Sequence, residues 1–169
     1  MQYGHIVNSD TILDKGHNVK IGHGTVIGAY PLMFKKGTHK LIFGTKRVVL
    51  EDNVVIGNNV TIMGGFYRDT IIRKGAKIWD GTVIGHDCDI GENVAIATNA
   101  TLNGEVNVGQ WSFISSGVVV KPKVNIGEYV QVGLGAIVLG DIPDRGVVIG
   151  GDKPPKVVRI NEWKPNGNE

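Results

Sequence analysis

Residues 70–102 read TIIRKGAKIWDGTVIGHDCDIGENVAIATNATL, and in this stretch an aliphatic side chain returns at every sixth position: Ile72, Ile78, Ile84, Ile90, Ile96 and Leu102. The series continues without a break through Val108, Ile114, Val120, Ile126, Val132 and Val138. A second series, four residues out of phase, is small or branched throughout: Ala76, Thr82, Cys88, Val94, Ala100, Val106, Ser112, Val118, Val124, Val130 and Ala136. Between the two series come Gly, Asn and Asp, as in Ile90-Gly91-Glu92-Asn93, residues that turn a chain or tolerate positive φ. Each hexad therefore reads as a short strand followed by a corner. One hexad cannot bury its own apolar face, so stacked coils must supply both core and backbone partners. Three sides per coil predict a repeat of about 18 residues in a parallel β-helix.

Working outward, the pattern is weaker at Leu13, Val19, Ile21 and Ile27, and returns at Leu50, Ile56 and Ile62. Two excursions interrupt it, 29–47 (AYPLMFKKGTHKLIFGTKR) and 63–69 (MGGFYRD), both richer in aromatic and basic residues than the coils. The expected organisation is one all-β domain over residues 1–169, with coils at about 11–28 and 48–140 and a capping tail at 141–169. That tail, proline-punctuated and open to a helical conformation, would cover strand edges that a bare solenoid end exposes. Excursions from a solenoid often form its binding surface. Tyr30, Phe34, Lys35, Lys36, Phe66, Tyr67 and Arg68 are the candidates there to stack on a base or sugar and to meet phosphate. Tolerated insertions with no binding role are the competing reading.

Composition narrows the rest. With 25 glycines and 7% aromatic residues, tight turns must be served by a core of small aliphatics. The formal net charge of +2, with cations scattered among 16 acidic residues, offers no electrostatic case for nucleic acid. Nowhere does an apolar run approach the roughly 20 residues that span a bilayer, and the start MQYGHIVNSD lacks a basic-then-apolar leader. A cytoplasmic protein without membrane insertion is expected. Cys88, the single cysteine, has no partner for a disulfide or a structural zinc site and reads as a buried filler.

From Leu50 onward the chain resembles the hexapeptide-repeat acyltransferases, chiefly through DTIIRKGAKIWDGTVIGHDCDIGENVAIATNATLNGEVNVG with Ile84-Gly85-His86-Asp87-Cys88 as its most specific part. Its closest local likenesses are nucleotide-sugar N-acetyltransferases and the acyl-ACP-dependent UDP-sugar acyltransferases of lipid A synthesis. The resemblance implies a left-handed helix, a homotrimer, and His86 as a general base that deprotonates a sugar hydroxyl or amine as it attacks a thioester. It implies the Gly104 N–H as an oxyanion donor. Asp87 or Glu105 would orient the imidazole; either could equally be a solvated corner charge, as His86 could be a polar corner residue and Gly104 a turn glycine.

The same resemblance places pantetheine along Ser115, Ser116 and Gly117 and along Gly133, Gly135 and Ala136, with Lys153, Lys156 and Arg159 near the phosphates of CoA. The expected activity is transfer of acetyl from acetyl-CoA to an amino or hydroxyl group of a nucleotide-linked sugar for cell-surface glycan synthesis, with no metal required. Acetyl-CoA is favoured over acyl-ACP on the expectation that the residues after Val138 are too few for a helical carrier-binding domain. The chain departs from lipid A O-acyltransferases at Val83 and Glu105 and from some N-acetyltransferases at Ala95, where those relatives carry further histidines. A carbonic-anhydrase-like zinc site would need a histidine at position 91, which is Gly91, and a non-catalytic scaffold is the remaining alternative.

Overall fold

The computed structural model describes residues 6–7, 13–34, 41–44, 47–149 and 157–160. Their regular structure is entirely strand, and most of it winds as a left-handed β-helix whose three flat faces are parallel sheets. Face A stacks Ile6–Val7, Val26–Ala29, Thr61–Met63, Val83–Ile84, Thr101–Leu102, Val119–Val120 and Ile137–Val138. Face B stacks Leu13–Lys15, Val48–Leu50, Thr70–Ile72, Asp89–Ile90, Asn107–Val108 and Asn125–Ile126. Face C runs from Lys20–Ile21 through Val55–Ile56, Lys77–Ile78, Ala95–Ile96, Phe113–Ile114 and Gln131–Val132 to Gly146–Val148.

The register is the one the hexads dictate. Ile72 pairs with Ile90, Ile90 with Val108, and Val108 with Ile126, so that each step of the ladder is one coil of three hexads. All twelve residues of the first aliphatic series and all eleven of the second are buried in one continuous core. Where the second series carries a hydroxyl, it is satisfied across the coil: Ser112 Oγ donates to the Gly127 carbonyl at 2.8 Å and accepts the Val130 N–H at 2.9 Å. A buried hydroxyl left without such partners would be costly.

Both excursions leave from one edge of the prism, between faces A and B. On face A, Ile27 pairs with Ile62 and Ile62 with Ile84; on face B, Leu50 pairs with Ile72. A regular A-to-B corner, such as Ile84 to Ile90, is a single hexad, whereas Ile27 to Leu50 and Ile62 to Ile72 are both longer. The extra length is therefore spent wholly at that edge. The first excursion contains an antiparallel hairpin, Leu32–Phe34 with Leu41–Phe43.

Two details differ from the sequence expectation. The winding reaches beyond residues 11 and 140: Ile6 pairs with Val26, Ile142 bridges to Ile126, and Val148 pairs with Val132. The last two of these steps fall short of three full hexads, which hides the final coil from a search for the hexad period. The tail is extended rather than helical where it is described, because Val157–Ile160 adds antiparallel to Gly146–Val148 and covers that strand's open edge.

Candidate functional site

His86, Asp87 and Cys88 occupy the A-to-B corner one coil above the 63–69 excursion. Cys88 points inward and takes the small core position, with burial pushing its thiol up to about 12. Asp87 adopts φ 60°, a left-handed conformation that Asp tolerates better than most side chains, and is fully buried. Its own N–H donates to Thr70 Oγ1 at 3.0 Å.

The Asp87 carboxylate has two distinct ends. Oδ1 accepts three consecutive backbone N–H groups, from Phe66 at 2.9 Å, Tyr67 at 2.8 Å and Arg68 at 2.7 Å. Oδ2 lies 2.7 Å from His86 Nδ1. Burial by itself would raise this carboxyl, but the Arg68 N–H, the His86 ring and the Tyr67 and Phe66 N–H groups together hold it below the usual carboxylate range. An ionised carboxylate can only accept, so Nδ1 carries a proton, and in the neutral ring Nε2 is then the nitrogen with the free lone pair. The imidazole is largely covered, its side chain 19% exposed.

Gly104 lies one coil further on, against the imidazole. A Cβ there would collide with His86 Nε2 and come within 2.6 Å of Cε1. The Gly104 carbonyl accepts the Lys123 N–H, while its own N–H has no partner among the described residues. Glu105 does not reach the ring; its N–H donates to the His86 carbonyl at 2.7 Å and its carboxylate lies 3.6 Å from Lys123 Nζ. Of the two carboxylates weighed from sequence, Asp87 is the one on the imidazole.

The excursions overhang this corner. The Phe66 ring is 6.3 Å from the imidazole, centroid to centroid, and packs edge-on against the exposed Tyr67. Gly44 of the first excursion lies against Gly65 and Phe66 of the second, and Gly64 N–H donates to the Ala29 carbonyl at 3.0 Å. Tyr30 is partly exposed nearby in sequence; Lys35 and Lys36 lie outside the described residues, as does the side chain of Phe34. Arg68, expected near phosphate, is held within the chain, Nε donating to the Asp87 carbonyl at 2.8 Å and a terminal nitrogen to Asn107 Oδ1 at 2.6 Å.

Ser115, Ser116, Gly117, Gly133 and Gly135 stack on a different edge, between faces C and A, where Ser115 and Gly133 line an apolar groove of about 720 Å³ together with Phe113, Val132 and Leu134. Ala136 belongs to the core and presents no side chain to that edge. Lys153 and Lys156 lie outside the described residues, and Arg159 is described only as part of a strand. Sequence reasoning missed Thr70 and Asn107; the signal for both was the coil-to-coil register itself, which puts Thr70 beneath the His86 corner and Asn107 above Asp89. No helix among the described residues is long and apolar enough to cross a membrane.

Residues 69–104 match the family Bacterial transferase hexapeptide (six repeats). The match spans the corner that holds His86, Asp87 and Gly104. Among curated proteins, the UDP-3-O-acylglucosamine N-acyltransferase of Campylobacter lari is 37% identical over 76 residues, covering 45% of this chain and 24% of that protein. That of Leptospira biflexa is 34% identical over 100 residues, 59% of this chain and 28% of that protein. The chain thus spans about a quarter of the length of the curated relatives it matches. A Francisella novicida UDP-N-acetylglucosamine acyltransferase shares the fold at a TM-score of 0.79 and 22% identity, over 96% of this chain and 71% of that one.

Proposed function

We propose that this chain is an acyltransferase acting on a nucleotide-linked amino sugar, with acetyl-CoA as donor and His86 as general base. The observation that carries the reading is the buried, ionised Asp87 on Nδ1, which leaves a basic Nε2 against Gly104, whose N–H is unpaired among the described residues. His86 Nε2 takes the proton from the acceptor's amino or hydroxyl group as that group attacks the thioester carbonyl. The Gly104 N–H donates to the oxyanion that forms. As the C–S bond breaks, His86 returns its proton to the departing thiolate. The aromatic rings of the two excursions, Tyr30, Phe66 and Tyr67, supply surfaces for the acceptor.

Ser115 to Gly117 and Gly133 to Gly135 provide a small-residue corner for an extended pantetheine arm, but on another edge from His86. In this reading a homotrimer brings the donor edge of one copy to the base of the next. Outward apolar residues on faces A and C, among them Trp79, Phe113, Val119 and Ile137, provide surface for that contact. A second reading, with a longer acyl chain delivered by acyl carrier protein, is favoured by the apolar groove of Phe113, Val132, Leu134, Val147, Val148 and Ile149.

The test is thiol release from acetyl-CoA and from acyl carrier protein thioesters across a panel of UDP-linked amino sugars. Turnover with acetyl-CoA, reduced about 100- to 10,000-fold in His86→Ala, supports the reading. Turnover only with the carrier protein moves it to the second reading. Release with neither donor, or undiminished release in His86→Ala, overturns it.

A further inference from the structure

The 64–68 segment is a short insertion with two glycines at its base, Gly64 and Gly65, and ordering it carries an entropic cost. Yet it places three successive N–H groups on one oxygen of Asp87, an anion nest that works only while the backbone keeps this curvature. The chain just beyond the segment is held by Asp69, whose carboxylate accepts the Arg47 N–H at 3.0 Å and its guanidinium at 2.8 Å, and the segment's own last residue adds a tie to the corner above. Arg68 reaches over the corner and donates to two acceptors on successive coils, the Asp87 carbonyl at 2.8 Å and Asn107 Oδ1 at 2.6 Å. Asn107 is itself oriented for this, because its amide nitrogen donates to Asn125 Oδ1 at 2.6 Å and leaves the oxygen facing Arg68. Asn125 is in turn fixed through its N–H to Asp141 Oδ1 at 2.8 Å. The clasp therefore spans the helix from the insertion to the last coil.

Its consequence is chemical. A carboxylate with both oxygens free can rotate and offer either one to a ring or to water. With three donors committed to Oδ1, only Oδ2 remains for His86 Nδ1, at one distance and one angle.

We propose that Arg68 is a positioning residue: by clamping the 64–68 segment to the coil above, it keeps three amides on Asp87 Oδ1 and thereby holds His86 in the tautomer with a free Nε2. Its bearing on catalysis rests on the acyl-transfer reading of the same site; its bearing on the tautomer does not. It also separates Arg68 from the phosphate-binding role that its charge and position suggest. A residue that binds phosphate acts on acceptor KM, whereas one that sets the imidazole acts on kcat.

The experiment uses the full chain with ¹⁵N-labelled histidine and long-range proton–nitrogen spectra of His86 above pH 7.5. The wild type should show one tautomer, protonated at Nδ1. Arg68→Ala should populate both, and amide exchange at Phe66 and Tyr67 should quicken roughly tenfold. Arg68→Lys should recover part of the wild-type signature by reaching one of the two acceptors. Asn107→Leu, which releases one arm and leaves Arg68 in place, should shift the tautomer in the same direction by less. Where acyl transfer is measurable, Arg68→Ala should lower kcat about tenfold with acceptor KM within about twofold. An unchanged His86 tautomer in Arg68→Ala overturns the proposal, as does a rise in acceptor KM at constant kcat. Should Arg68→Ala fail to fold, an unchanged tautomer in Asn107→Leu overturns it instead. If the wild type transfers no acyl group to any acceptor, the proposed function fails while the spectra still decide the role of Arg68.

Discussion

The backbone of Gly104 is the floor beneath the His86 imidazole, so close that the smallest side chain at position 104 would occupy the place of Nε2. The two are one coil of the helix apart in sequence and in contact in space. Because Gly104 is not in the left-handed region, Gly104→Ala adds no backbone strain and its effect should fall on the ring alone. We expect kcat to fall about 100-fold or more, through displacement of the base on the scale of an ångström, with the melting temperature little changed. A variant with normal turnover would show that Nε2 is not where the proton moves.

Asp87→Asn should be harmful twice over. The amide can donate to His86 and favour the wrong tautomer, and it is a weaker acceptor for the three loop amides. A loss of roughly a thousandfold in turnover or more is expected.

The same carboxyl carries a pH signature. Its pKa in the folded chain is lowered from the ordinary 3.8, so the folded state binds this proton less readily than the unfolded chain. The stability it contributes is complete above the ordinary value and is lost as pH falls below it toward the folded value. Denaturant titrations between pH 6 and 3 should therefore show a steeper acid loss in the wild type than in Asp87→Asn. Equal slopes would mean that Asp87 is not held ionised by its surroundings.

Cys88, with its thiol pushed up to about 12 and no exposed surface, should resist alkylation by iodoacetamide at pH 8 in the native chain and react once denaturant unfolds it. Rapid native labelling, followed by mass spectrometry, would place the thiol outside the core.

If, as proposed, the Ser115 edge of one copy serves His86 of the next in a homotrimer, light scattering at micromolar concentration should return three times the chain mass of 18.2 kDa. A monomeric mass together with acyl transfer would mean that donor and base meet within one chain.

Much of this was legible in the sequence because a hexad is a local code: Ile72 through Val138 each state their own side, and errors do not accumulate. The last coil was not, since Ile142 and Val148 arrive early, before three full hexads have elapsed from their partners Ile126 and Val132. At the site, His86, Asp87 and Gly104 stood out by motif and register. The choice between Asp87 and Glu105 did not, because it depends on which way each side chain leaves a left-handed corner; both have positive φ, yet one turns in under the 64–68 segment and the other out to Lys123. Arg68 is similar: its charge is visible in sequence, its two acceptors within the chain are not.

The two excursions differ greatly in length yet open on the same edge and rejoin the winding with the inward positions Ile27, Ile62, Leu50 and Ile72 still in register. That edge behaves as a socket. Chain can be lengthened, shortened or exchanged there while the core continues to count in sixes. A lineage, or an engineer grafting a segment from a relative, can thus retune what the corner recognises without renegotiating the stability of the prism that carries it.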